Sequence, residues 1–305
     1  MTGPSLRLRE RLRRTVRTWD PALARAWTAY VSARKNLPAR LNDDEGPYWL
    51  RVPRWIARRC SARMGRRFLD DVLFGQSCAF LAVKIHDDLF DGHVADRSLL
   101  FAADHLLLAS REAFEPHFPG DGEFWNSFNG SFRRTLNAVI AVDECQLHGH
   151  PGHAAAAALV RQGYSVCNIG SYAVCRRAGK QRLFAAVARC TGEIAVVGQF
   201  LDDLEDMNDD YRRGRVNYAA WVLLGSSRRG RRRGVNRKFP RLLLDGTGDR
   251  WFAMLRAHVR RAEVLAAQTG ISELSGHVRE YGQAVATAER LLHRSSVDLV
   301  FSGLL

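Results

Sequence analysis

The chain has 305 residues, 46% hydrophobic and 26% charged, proportions that suit a sizeable buried core and exclude a mainly disordered or fibrous protein. Its net charge of +14 is local: residues 1–19 carry six Arg against Glu10, residues 226–238 carry six Arg and Lys238, and the remainder is nearly neutral. Two basic appendages on a neutral body argue against a folded face that tracks phosphates, and no nucleic-acid-binding pattern accompanies them.

In chain order, Leu8, Leu12, Val16 and Trp19 form an apolar stripe among arginines, predicting a basic amphipathic helix over residues 5–19. Such a helix suits packing on the protein or a reversible membrane-surface contact. Asp20-Pro21 reads as an N-cap followed by Pro at the first helical position, with the helix running to about Ala33. Helical periodicity then covers roughly 54–92, 97–115, 122–148, 152–178, 181–212, 215–225, 249–268 and 273–294. Turn residues at 118–122 (FPGDG) and 150–152 (HPG) punctuate it, and no strict apolar/polar alternation marks a strand. The expectation is all-α: one domain over 1–305, a single large helical bundle, with 226–238 as a basic loop. The six cysteines form no C-x-x-C pair and read as buried free thiols in a reducing compartment. No run approaches the ~18 apolar residues of a membrane span, and the N-terminus lacks the apolar region of a secretory signal, so a cytoplasmic location is expected.

Two clusters carry chemistry: Asp87-Asp88-Leu89-Phe90-Asp91 and Asp202-Asp203-Leu204-Glu205-Asp206, both D-D-x-x-D. At 100° per residue each projects three carboxylates from one side of a helix, and Asp209 and Asp210 extend the second stripe as additional ligands or supports. With 32 acidic residues in the chain, one such pattern arises by chance about 0.3 times, so a pair is the informative observation. Each also follows an apolar run, where a solvated face would intersperse Lys and Arg. Carboxylates in that number repel unless cations sit among them, and hard oxygen donors suit Mg²⁺, in several ions, each completed by waters and substrate phosphate oxygens. A diphosphate substrate follows, with Arg212, Arg213, Arg215 and Lys84 as candidate donors to it. His86 and His93 flank the first cluster without a metal-ligand spacing and are assigned no chemistry.

These residues resemble the class I isoprenoid synthase superfamily over about 66–220. Residues 85–91 (IHDDLFD) look like the first aspartate-rich motif of prenyl diphosphate synthases, and 101–107 (FAADHLL) like their A-G-D-x-L-L helix, with Ala103 in place of Gly. Residues 199–206 (QFLDDLED) look like the second motif, Q-x-x-D-D-x-x-D. Residues 206–215 (DMNDDYRRGR) are similar instead to the D-x-x-E-D-x-R-R-G-R stretch of phytoene and squalene synthases, with Asp209 in place of Glu. The resemblance implies an isoprenoid synthase bundle in which Asp87, Asp88, Asp91, Asp202, Asp203 and Asp206 bind Mg²⁺ around a prenyl diphosphate.

Departures from the pattern shape the functional expectation. Chain-elongating members hold isopentenyl diphosphate with G-G-K-x-x-R, R-R-G and K-T segments. Here the corresponding stretches read GPYWLR over 46–51, GHVADR over 92–97 and CNIG over 167–170. Carboxylates without those cations suit a one-substrate class I terpene synthase, a cyclase that ionises an allylic diphosphate and steers the carbocation in an apolar pocket. The alternative is a prenyltransferase, elongating or joining two chains head to head. Candidate walls are Phe80, Phe90, Phe128, Tyr164, Tyr172, Phe200 and Tyr218. The family position of Ala82 and Val83 implies a pocket floor, and their small size a C20 or longer chain. No nucleic-acid partner is expected, and a homodimer is left open.

Overall fold

The computed structural model describes residues 4–34, 47–60, 64–224 and 246–302, leaving aside the side chains of 4–7, 208, 211, 212, 224 and 295–302. Among the described residues every regular element is helical. Helix α1 (Pro4–Arg17) precedes α2 (Pro21–Ala33), where Asp20 accepts the Ala22 N–H at 2.8 Å and Pro21 supplies the preset φ of the first turn. Then come α3 (Tyr48–Arg59), α4 (Arg66–Phe90), α5 (Leu99–Phe114) and α6 (Gly122–His148). Next, α7 (His153–Gly163) leads through a 3-10 turn, Tyr164–Asn168, into α8 (Ile169–Arg177). Helix α9 (Gln181–Arg212) stops before Gly214, whose φ of 81° suits a residue without Cβ. The chain continues through α10 (Tyr218–Leu224), α11 (Thr247–Thr269) and α12 (Ser272–Ser302). The basic loop expected at 226–238 lies outside the described residues.

By packing, the chain divides into two units, Met1–Val139 with Gly163–Ala185 and Ile140–Gln162 with Ala186–Leu305. In the first unit α4 and α5 make the most extensive pairing. They approach closely because Gly75 has no side chain: a Cβ there would lie 2.6 Å from the Phe114 ring. Ser110 Oγ donates to Gly75 O at 2.8 Å across the same contact. Phe114, Phe118, Phe124 and Phe128 build an aromatic core, with the Phe118 and Phe124 rings stacked at 3.9 Å. The α1 stripe is spent on packing: Leu8, Leu12 and Trp19 are buried, Val16 is half-buried, Arg11 pairs with Asp71, and its guanidinium lies over the Phe74 ring.

In the second unit, α9 has the length and composition of a membrane-spanning helix over 181–207, yet 61% of its most apolar window is buried in the protein, as in a core helix. Val187, Cys190, Ile194, Val196, Val197 and Phe200 are its inward side. Glu193, on the same helix, is buried in a charged network. It accepts from Arg161 Nη2 (2.7 Å), Arg261 Nε (3.0 Å) and His258 Nδ1 (2.6 Å), and His258 Nε2 meets His153 Nε2 at 2.9 Å. Arg161 Nε adds a fourth bond at 3.1 Å, so each carboxylate oxygen accepts twice, as a buried charge requires.

Candidate functional site

The first motif closes α4. Leu81, Ala82, Val83 and Ile85 are core-facing, and the helical period that buries them carries Asp88 inward too. Its side chain is completely buried. Tyr30 O–H donates to Asp88 Oδ2 at 2.7 Å, Arg34 Nη2 lies 2.8 Å from the same oxygen, and Lys84 Nζ lies 3.0 Å from Oδ1. Lys84 also donates to Asp87 Oδ2 at 2.7 Å. Burial alone would lower the Lys84 ammonium, but the charges of Asp87 and Asp88 outweigh it and hold the group above its usual value. Burial and the hydrogen bond to Asp88 push the Tyr30 hydroxyl well above the usual range. Asp88 O accepts the N–H groups of His93 (2.8 Å) and Val94 (3.2 Å), a cap made possible by Gly92 at φ 70°. Asp87 is a third exposed and Asp91 half-buried.

The second motif differs in its charge balance. Asp203 Oδ1 accepts from Gln199 Nε2 at 2.9 Å and Oδ2 from Tyr218 N at 3.2 Å; among the described residues both donors are neutral. Burial, reinforced by the charges of Asp210 and Asp202, outweighs these bonds and pushes the Asp203 carboxyl up to about 7. Desolvation, then crowding by Asp210, Glu205 and Asp209, raises Asp206 as well. Asp202 and Asp206 are exposed. Buried Asn217 organises the group: its Nδ2 donates to Asp203 O and to Asp210 Oδ2, each at 2.8 Å, while its Oδ1 accepts Ala220 N at 2.9 Å and so caps α10. Asn217 belongs to neither motif; its sequence signal is an Asn directly before an apolar helical run.

Other expected residues are distributed unevenly. Arg215 is committed to Asp143 (3.0 Å) and Gln146 (3.3 Å), Arg213 is exposed, and the Arg212 side chain lies outside the described residues. Of the proposed walls in the first unit, Phe128 is in the aromatic core, Phe80 packs on Trp49 with rings 4.3 Å apart, and Tyr172 packs on Phe124 and Phe184. Tyr164 is half-buried, whereas Phe90 is 48% exposed and faces solvent. In the second unit the Phe200 and Tyr218 rings lie tilted with centroids 4.7 Å apart, beside Trp251.

The donor chemistry of the second motif fits a hard divalent cation: its carboxylates crowd one another, and neutral donors alone hold Asp203. The first motif fits less well, because cations already stand beside both Asp88 oxygens: Arg34, with the Tyr30 hydroxyl, at Oδ2 and Lys84 at Oδ1, which is buried and accepts no hydrogen bond. Among the described residues, the three-donor group whose ligand atoms fall within 4.8 Å of one another is Asp249, Glu289 and His293, and Arg256 occupies Glu289. Magnesium that keeps its waters and takes one or two carboxylates plus phosphate oxygens needs no such preformed cage.

No model of a known protein family matches the sequence, and no curated protein sequence matches it. Solved structures do. The chain is similar to a decaprenyl diphosphate synthase from Rhodobacter capsulatus, with a TM-score of 0.72 and 10% identity over 92% of this chain and 96% of that one. A geranylgeranyl pyrophosphate synthase from Lactobacillus brevis gives a TM-score of 0.70 and 14% identity over 91% and 95%. A heptaprenyl diphosphate synthase from Staphylococcus aureus gives 0.66 and 12% over 92% and 98%. The chain has the all-α fold of the class I isoprenoid synthases, as the motifs imply.

Proposed function

We propose that this protein is a Mg²⁺-dependent enzyme acting on prenyl diphosphates, and that it is a prenyltransferase. The observation that carries the reading is the crowded second carboxylate group, held by neutral donors, on a fold shared with three prenyl diphosphate synthases. Asp202, Asp203 and Asp206 would hold the metal and Asp209 and Asp210 would support them, while in the first motif Asp87 is paired with Lys84 and Asp91 would be the carboxylate to offer a ligand. Bound metal would neutralise the diphosphate as it leaves the allylic carbon. Arg212 and Arg213 suit the same anion, whereas Arg215 and Lys84 serve carboxylates. Ala82 and Val83, both small and buried, support a long prenyl tail of C20 or more.

A terpene cyclase is the second reading, supported by the sequence itself: the G-G-K, R-R-G and K-T cations that would neutralise a second diphosphate are missing from 46–51, 92–97 and 167–170. One experiment divides the two. The enzyme is incubated with Mg²⁺ and C10, C15 or C20 allylic diphosphates, alone and with isopentenyl diphosphate, while pyrophosphate and product mass are followed. Elongation releases pyrophosphate when both substrates are present and gives a longer diphosphate; head-to-head joining doubles the carbon count. An unchanged carbon count from the allylic substrate alone defeats transfer and supports cyclisation. No pyrophosphate under any condition overturns both.

A further inference from the structure

We propose that Asp88 is the anchor that fastens α2 to α4, with Arg34 and Lys84 as its built-in counter-cations, and that it binds no metal. The contrast with the second motif rests on the metal reading above; the anchor itself does not. Asp88 has no side-chain surface exposed; Oδ2 is taken by Tyr30 and Arg34, and Oδ1 accepts no hydrogen bond but has the Lys84 ammonium 3.0 Å away, so a bound ion would have to displace a cation from beside either oxygen. Those groups come from two directions. Tyr30 and Arg34, at the C-terminal end of α2, take Oδ2 at 2.7 and 2.8 Å, while Lys84, one turn earlier on α4, takes Oδ1 at 3.0 Å and bridges to Asp87 at 2.7 Å. Two carboxylates thus meet two fixed cations and a hydroxyl, and the pair is neutral as it stands. His93 Nδ1, 3.6 Å from Oδ1, closes the remaining side. The Asp88 carbonyl is engaged as well, by the N–H groups of His93 and Val94.

A carboxylate buried this way is costly to disturb, because removing its charge strands Arg34 and the Tyr30 hydroxyl and leaves Lys84 with Asp87 alone. The second motif has the opposite design. Asp203 accepts from neutral donors, which leaves its negative charge uncompensated by side chains among the described residues. Two motifs with the same letters therefore hold their charge differently: one is closed by the protein's own cations, the other is open to an external one.

The test is made without substrate, on the full chain, with Mn²⁺ as the probe. Thermal unfolding of the metal-free protein is combined with Mn²⁺ counting by electron paramagnetic resonance. Asp88→Asn is expected to lower the metal-free Tm by about 5–10 °C and to leave the number of bound Mn²⁺ ions unchanged. Asp203→Asn is expected to weaken Mn²⁺ binding at least tenfold with little change in metal-free Tm. Should Asp88→Asn fail to fold, Tyr30→Phe removes one hydroxyl only and is expected to lower Tm by about 2 °C. The double variant Arg34→Gln with Lys84→Gln bares the carboxylates and is expected to bind one Mn²⁺ more than the parent. An Asp88→Asn protein that keeps its metal-free Tm and loses a bound Mn²⁺ overturns the proposal. So does a folded double variant that gains none. A parent that binds no Mn²⁺ would defeat the metal reading, and the anchor would then stand or fall on the two Tm values.

Discussion

Glu193 illustrates how much one buried charge contributes when every partner is in place. Desolvation would raise its carboxyl, but hydrogen bonds from His258 and Arg261 and the charge of Arg161 prevail and hold it at about 2, against an ordinary value of 4.5. A depressed carboxyl contributes stability that is complete above the unfolded value and disappears as pH falls from 4.5 through 2. The difference corresponds to about 3 kcal/mol at neutral pH. Glu193→Gln is therefore expected to cost about 3 kcal/mol at pH 7 in urea unfolding. That deficit should shrink at pH 3, where the parent's own advantage is fading. Burial, then the neighbouring His258, lowers the His153 imidazole, which opposes folding below about pH 6.5; the Glu193 charge raises that imidazole, so Glu193→Gln enlarges this opposition and offsets part of the shrinkage at low pH. A deficit that stays constant from pH 7 to pH 3 would show that packing, and not charge, is what the substitution removes.

At the scale of elements, α4 and α5 are held together by an absence. Gly75 lies mid-helix, where Ala would normally be favoured by about 1 kcal/mol, yet its missing Cβ is where the Phe114 ring sits. Gly75→Ala is expected to destabilise by about 1–3 kcal/mol in spite of propensity, because Phe114 is locked in the aromatic core and cannot yield cheaply. A stabilised variant would mean that the pair can separate freely. Single-sequence periodicity could not show such contacts, and its limits lie where tertiary bonds cut a helix. The N-cap of α2 follows from Asp20-Pro21, and the extents expected for α6 and α9, 122–148 and 181–212, match the helices. The expected helix over 152–178 is instead broken at Tyr164–Asn168, whose residues keep helical periodicity. There buried Gln76 donates to Val166 O (3.0 Å) and accepts from Gly170 N (2.7 Å), and Thr135 Oγ1 accepts from Val166 N (3.1 Å), so partners distant in sequence supply the bonds that an α-helix would make. The expected 54–92 helix is likewise two helices, α3 ending at Arg59 and α4 beginning at Arg66, although apolar periodicity continues past Cys60. At the site, the D-D-x-x-D patterns were legible, but the unlike surroundings of Asp88 and Asp203 were not. Tyr30, Arg34 and Asn217 lie outside both motifs and meet them through folding alone.

For the whole molecule, the placement of its excess charge decides how the N-terminal segment is used. Six of its arginines lie in residues 1–19, a segment that as a sequence suits either a membrane surface or the protein's own flank. Its apolar stripe is already occupied: Leu8, Leu12 and Trp19 are buried, Trp19 stacks on His105 at 5.4 Å, and Arg11 reaches Asp71, which His117 Nε2 also holds at 2.7 Å. Each such side chain returns about 1.5–3 kcal/mol on burial, so three together approach the 5–15 kcal/mol by which a folded domain is stable. Deleting residues 1–19 is thus expected to lower Tm by 10 °C or more, or to leave the chain unable to fold. Because an unfolded product alone says little about cause, Leu12→Ala gives the graded measure: about 2–4 kcal/mol lost in urea, from the buried methyl groups and the cavity left against α4. Binding to anionic vesicles supplies the opposing measurement. A stripe used for packing predicts that Leu12→Ala changes stability and leaves vesicle binding as it was, since the exposed arginines are untouched. Unchanged stability with loss of vesicle binding would assign the same leucines to a lipid surface, and the packing of α1 would then be the part that gives way.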